Sequence, residues 1–313
     1  MPAHAGCPAE CALASHGADG TDTMQLDIFD DSRDLMLRND VLHALEQRDA
    51  QAARAVWLKL EQEYPGDDTL PPLDLLIHTL QHADAAPFVD AAQASQALQH
   101  MQCDIEPAAQ RLWGAPAAAS WLAPLWRQLA QRAAGFGFRA DQAEIHAAAL
   151  WLRAGDFAAA AAAAQQIESW RRIPAPLSWM SEARFRLDGL DPHWGLLAEL
   201  AWLSPQRFDV LMRRLGDPVL TRLRRRFDAG FEGDGSVADL VWFPAWVLCE
   251  TPALAGALGQ AQPALHSAAE RAMRLLLDLL HLERQGRQHE LPAQRRRLRD
   301  LQPVLYAAYM KSR

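Results

Sequence analysis

At 313 residues, half of them apolar, the chain holds material for two ordinary domains or one elongated repeat array. Its four cysteines make no disulfide framework for a protein of this size. No basic-then-apolar leader opens it, and no apolar run reaches the length of a membrane span. The formal charge of −8 is unevenly spread: residues 1–204 carry 14 basic and 27 acidic side chains, residues 205–313 carry 17 and 12. These features exclude the disulfide-rich secreted and membrane-spanning classes and set a cytoplasmic protein as the expectation.

Abundant alanine, sparse β-branched residues, and glycine and proline gathered between segments all favour helix. Residues 1–23 are small, polar and aperiodic, which predicts a disordered tail, with Met24 an alternative start. His4, Cys7, Cys11 and His16 lie in that tail, but their spacing matches no common structural-zinc pattern. Residues 24–31 read as a short linear motif. Ser32 is then placed to cap a helix carrying Leu35, Leu37, Val41, Leu42 and Leu45. After Arg48 and Asp49 a second helix runs through Ala53, Trp57 and Leu60 to Tyr64, where Pro65 and Gly66 stop it.

The turn between those two helices recurs. Leu45 to Ala50 is followed 35 residues later by Leu80 to Ala85, and 72 residues beyond that, two periods on, by Leu152 to Phe157. Leu187 to Pro192 and Arg226 to Gly230 continue the series, with Asp191 falling 35 residues after Asp156 and Asp228 37 after Asp191. Such a period is what stacked helical hairpins produce, because one hairpin alone cannot bury its apolar face. Asp49 in the turn, Ala53 as the small residue, Trp57 as the aromatic and Pro65 at the close make the first unit resemble a tetratricopeptide (TPR) repeat. Gly155, Asp156, Phe157 and Ala160, closing at Pro174, fit the same pattern, whereas residues 114–124 and the His82-Ala83-Asp84 turn are degenerate copies. The resemblance spans about residues 34–230. It implies an all-α, right-handed stack of TPR-like hairpins over residues 32–230, whose concave face holds a peptide or helix of a protein partner. Residues 231–313 are expected to form a C-terminal helical bundle closing the stack, beginning after the loop at residues 230–236 with Ser236 as a cap.

Gln25, Leu26, Asp27, Ile28 and Phe29 resemble the pentapeptide with which bacterial proteins bind the replication sliding clamp. The glutamine amide supplies hydrogen bonds, and the aliphatic and aromatic side chains fill a preformed apolar pocket. The competing reading makes Leu26, Ile28 and Phe29 an apolar lead-in that folds back on the first hairpin, with Asp30 and Asp31 serving its N-terminus.

Arg222, Arg224, Arg225 and Arg226, and later Arg295, Arg296 and Arg297, are candidates for phosphate contact. Adjacent arginines on a helix point in different directions, and a solvated face is the simpler account of them. Most of the eleven tryptophans fall at helical spacing among leucines and read as core; Trp179, Trp194 and Trp202 are candidates for a groove. No pattern for a zinc protease, a phosphate loop, a redox dithiol or a serine nucleophile occurs, and no cofactor is implied. His78 and His82 share a helical face without a third ligand, and Cys103 and Cys249 read as small core residues. The function expected is therefore a non-enzymatic scaffold or adaptor, with possible recruitment to the sliding clamp. A purely structural subunit, or an enzyme whose acid–base groups lie far apart in sequence, stand as alternatives.

Overall fold

The computed structural model describes residues 22–83, 85–262 and 266–313, with side chains from position 33. It is 78% helix, and no strand occurs among the described residues. In chain order the helices are α1 (Asp22–Glu46), α2 (Ala50–Glu63), α3 (Leu70–Gln81), α4 (Ala91–His100), α5 (Glu106–Trp113) and α6 (Ala115–Arg132). There follow α7 (Ala147–Arg153), α8 (Phe157–Gln165), α9 (Pro174–Asp188), α10 (Trp194–Leu203), α11 (Pro205–Leu215) and α12 (Pro218–Gly230). The last five are α13 (Phe243–Glu250), α14 (Ala255–Leu258), α15 (Ala268–Arg284), α16 (Leu291–Leu301) and α17 (Pro303–Lys311). Contacts divide the chain into two compact units: one runs through Asp84 and takes in Ile105–Ala118, the other takes in Ala85–Asp104 and Ala119–Arg313. The boundary expected at Gly230 falls inside the second unit.

In the first unit α1 and α2 form a hairpin, and α3 packs on both. Val41, Leu45, Ala53, Trp57, Leu60, Leu73, Leu76 and Ile77 are buried between them. Each large apolar side chain taken out of water contributes about 1.5–3 kcal/mol. Trp57 also donates its indole N–H to the Leu70 carbonyl at 3.1 Å, so its one polar atom is satisfied inside the core. Arg38 joins the ends of the hairpin by pairing with Asp34 and with the buried Asp67 (2.6 Å to the latter).

The recurring turn is built alike at its two best copies. Arg48 and Gly155 both take the left-handed conformation, with φ of 57° and 72°. The amides of Asp49 and Asp156 reach back to the carbonyls of Ala44 (2.9 Å) and Trp151 (3.0 Å). Each aspartate then caps the next helix, accepting from Ala52 N–H (2.9 Å) and Ala159 N–H (3.2 Å). At these two copies the turn read from sequence is a hydrogen-bonded turn whose aspartate serves as the cap. The turn expected at residues 226–230 is instead helical within α12, and no side-chain cap follows residues 187–192.

Two local expectations are corrected. The helix expected to start at Ser32 begins at Asp22, so Ser32 lies inside it and not at its start. Residues 115–124 are helical within α6, which carries Pro124 in its interior. Ala118, Trp121, Leu122, Leu125 and Trp126 are all buried, and this packing outweighs the proline's missing N–H.

In the second unit consecutive helices pack on one another, α7 on α8, α8 on α9, α9 on α10, α10 on α11 and α11 on α12. Alternate helices also touch in series, α7 on α9 and α9 on α11. The core continues through Phe208, Phe227, Phe243 and Trp246, whose rings meet at centroid distances of 5.5–5.6 Å across α11, α12 and α13. α13 packs in turn on α15 and α17. The end of the chain is sealed by the buried Tyr309, whose hydroxyl donates to Glu283 and accepts from Arg295 Nε at 3.3 Å.

Candidate functional site

Because α7 packs on α9 and α9 on α11, residues of all three line one cavity of about 660 Å³. Leu152 and Arg153 come from α7, Ser178, Trp179 and Glu182 from α9, and Gln206, Arg207, Val210 and Arg214 from α11, with Glu144 from the segment before α7. Arg153, Arg207 and Arg214 are exposed, and Glu144 is the one exposed acid among the lining residues. Arg207 and Glu144 also line an adjoining cavity of about 310 Å³, together with Gln99, Gln102 and Gln142.

Glu182 forms part of the larger cavity's floor and is only 6% exposed. Burial pushes its carboxyl above the usual range, against the pull of Arg214, Arg186 and Arg153. Its Oε2 lies against the Arg214 guanidinium yet accepts no aligned hydrogen bond. Beside it Trp179 is buried and stacks on His146, with ring centroids 5.5 Å apart and planes within 7°. His146 caps α7: its Nδ1 accepts from the Ala148 amide at 3.2 Å, which places the proton of the neutral ring on Nε2. Burial lowers the pKa of this histidine.

A second cavity, of about 420 Å³, lies on the other side of His146. It is lined by His146, Phe136, Phe138, Trp151, Ile167, Ile173 and Glu168, among others. The stacked His146–Trp179 pair therefore separates the two spaces.

The structure distributes the sequence candidates unequally. Trp179 lines the larger cavity, whereas Trp194 and Trp202 are buried in the core with indole N–H groups that meet no acceptor. Arg224 pairs with Asp209 and Asp228, Arg226 with Glu250, and Arg295 with Glu283 and Tyr309. Arg297 contacts Gln294 at 3.4 Å, while Arg222, Arg225 and Arg296 are exposed without an ion pair among the described residues. Gln25, Leu26, Asp27, Ile28 and Phe29 fall within the helical backbone of α1, and their side chains lie outside the described ones. His4, Cys7, Cys11 and His16 also lie outside the described residues. His78 and His82 stack on each other at 4.0 Å, and Cys249 is buried while Cys103 is exposed.

Arg153 and Arg207 stand alone in sequence and Arg214 stands only beside Arg213, so nothing in their spacing marks them as one group; they come together through the packing of α7 and α11 on α9. Among the described residues, no group of three or more His, Cys, Asp or Glu is placed to hold a metal. No single helix among them is long and apolar enough to cross a membrane. No family model, no curated protein and no solved structure gives a significant match to this chain.

Proposed function

We propose that this chain is a non-enzymatic protein-interaction module of TPR-like hairpins, in which an acidic segment of a protein partner lies along α7, α9 and α11. The observation that carries this reading is the series of three helices lining one cavity, with three exposed arginines against one exposed glutamate. Complementary charge would steer an acidic segment to the groove, and Leu152, Trp179 and Val210 offer it apolar contact. The adjoining glutamine amides suit the main chain of an extended peptide, since each offers both donor and acceptor. The buried titratable groups elsewhere have structural duties: Glu199 accepts from Gln262 N–H (2.8 Å) and pairs with Arg171, and Glu270 caps its own helix by accepting from His266 N–H (3.0 Å).

The test is fluorescence anisotropy with labelled hexaglutamate and hexalysine peptides. Hexaglutamate is expected to bind, and Arg207→Glu to weaken it about tenfold, with melting temperature unchanged. Equal binding of hexalysine, or an affinity indifferent to Arg207→Glu, overturns the reading. Recruitment to the sliding clamp through Gln25, Leu26, Asp27, Ile28 and Phe29 is a separate proposal. It requires direct binding to a purified bacterial clamp that is lost in both Gln25→Ala and Phe29→Ala. Engagement as an extended peptide would also require the first turns of α1 to unwind.

A further inference from the structure

The 420 Å³ cavity beside His146 has a chemistry unlike the groove's. Three partly buried aromatic rings, Phe136, Phe138 and Trp151, contribute to its wall, and no lysine or arginine lines it. His146 is held neutral there by burial and by its capping bond, so it brings no positive charge. Glu168 is the one acid in the lining; it is exposed, and it precedes Ser169, a left-handed residue at φ 55° that turns the chain at this point.

The aromatic wall is braced from behind. Phe138 meets His146 edge-on at 6.0 Å and Trp179 edge-on at 5.9 Å. Phe136 stacks on Phe88 at 6.5 Å, and Phe88 is itself covered by the Arg132 guanidinium at 4.0 Å. Rings fixed in this way lose little freedom when a ligand enters.

Aromatic faces carry partial negative charge and attract cations, most of all weakly hydrated ones with no N–H to satisfy. An aromatic wall, a single exposed carboxylate and a lining without lysine or arginine together select a cation. The volume suits a compact organic one. We infer that this cavity binds a quaternary ammonium group, with Phe136, Phe138 and Trp151 contacting the methyl groups and Glu168 balancing the charge. The site stands apart from the groove reading and does not depend on it.

Isothermal titration with choline, against the neutral isostere 3,3-dimethylbutanol, tests charge at constant shape. Choline is expected to bind saturably and about tenfold more tightly than the alcohol. Glu168→Gln, on an exposed side chain, should weaken choline several-fold and leave the alcohol unmoved. Phe138→Leu should weaken choline by about tenfold, with circular dichroism confirming the fold. A trimethyllysine peptide measured beside choline distinguishes a group carried on a protein from one on a free solute. Equal affinity for choline and the alcohol would reduce the site to an apolar hole. No saturable binding of either quaternary ammonium probe, or affinities untouched by both variants, would also overturn the inference.

Discussion

His146 shows how one side chain can tie stability to pH. It is buried, stacked on Trp179, and uses Nδ1 as the acceptor that starts α7. Protonation removes that acceptor and places a charge in a dry site, so the folded pKa lies below the unfolded value. The unfolded chain then binds the proton more readily, and this contribution, fully present above the unfolded histidine pKa of about 6.5, is lost as pH falls towards the folded value. Glu182 and Glu199 act in the opposite direction: burial raises both, so each favours the fold more as pH falls through its folded pKa. The difference between wild type and His146→Asn isolates the histidine, since asparagine retains an N-cap acceptor and does not titrate. Melting temperatures between pH 8 and 5 should fall more steeply for wild type, with the two curves converging towards acid. Parallel curves would show that His146 already titrates normally in the fold.

At the scale of elements, the recurring turn makes a quantitative contrast, because its left-handed position is glycine in one copy and arginine in the other. Gly155→Ala puts a β-carbon where it meets no other atom within 4 Å, so the cost is conformational alone. Forcing an L-residue into this region costs about 1–2 kcal/mol, and denaturant midpoints should report a loss of that order. Arg48→Gly removes the same strain from the first hairpin but adds freedom to the unfolded chain and deletes a half-buried side chain, so no gain in stability is expected. This element was legible because an aspartate marks its cap at the same offset in both copies, and in the second a glycine marks the left-handed position. The helical course of α6 was not, since Pro124 signals a break locally and only the burial of Trp121, Leu122, Leu125 and Trp126 overrides it. Nor was the cap of α7, because histidine seldom serves as one. The groove was legible only at Trp179: clustered arginines drew attention, yet intramolecular ion pairs occupy Arg224, Arg226 and Arg295, while the cavity takes Arg153 from α7 and Arg207 and the Glu182-paired Arg214 from α11.

For the whole molecule, the order of the chain matters more than its period. The chain passes between the two units at positions 84, 104 and 118, so α4 belongs with the second unit although it precedes α5 of the first. Residues ahead of α4 are tied to the end of α6: the Phe88 amide donates to the Arg132 carbonyl (3.2 Å), Arg132 Nε donates to the Ala86 carbonyl (2.8 Å), and the guanidinium lies over the Phe88 ring. α4 then packs on the turn at Ala140–Ile145, which leads directly into His146 and the walls of both cavities. A fragment comprising residues 119–313 would leave Arg132 without those partners and the Ala140–Ile145 turn uncovered, whereas residues 85–313 would keep them. The longer fragment should therefore melt cooperatively and protect the backbone amides of α7 from exchange. The shorter should lose that protection first around residues 140–153, at a free energy a few kcal/mol below that of the rest. Hydrogen exchange followed by mass spectrometry decides it: equal protection of residues 140–153 in both fragments would mean that α4 contributes nothing to the walls of the two cavities.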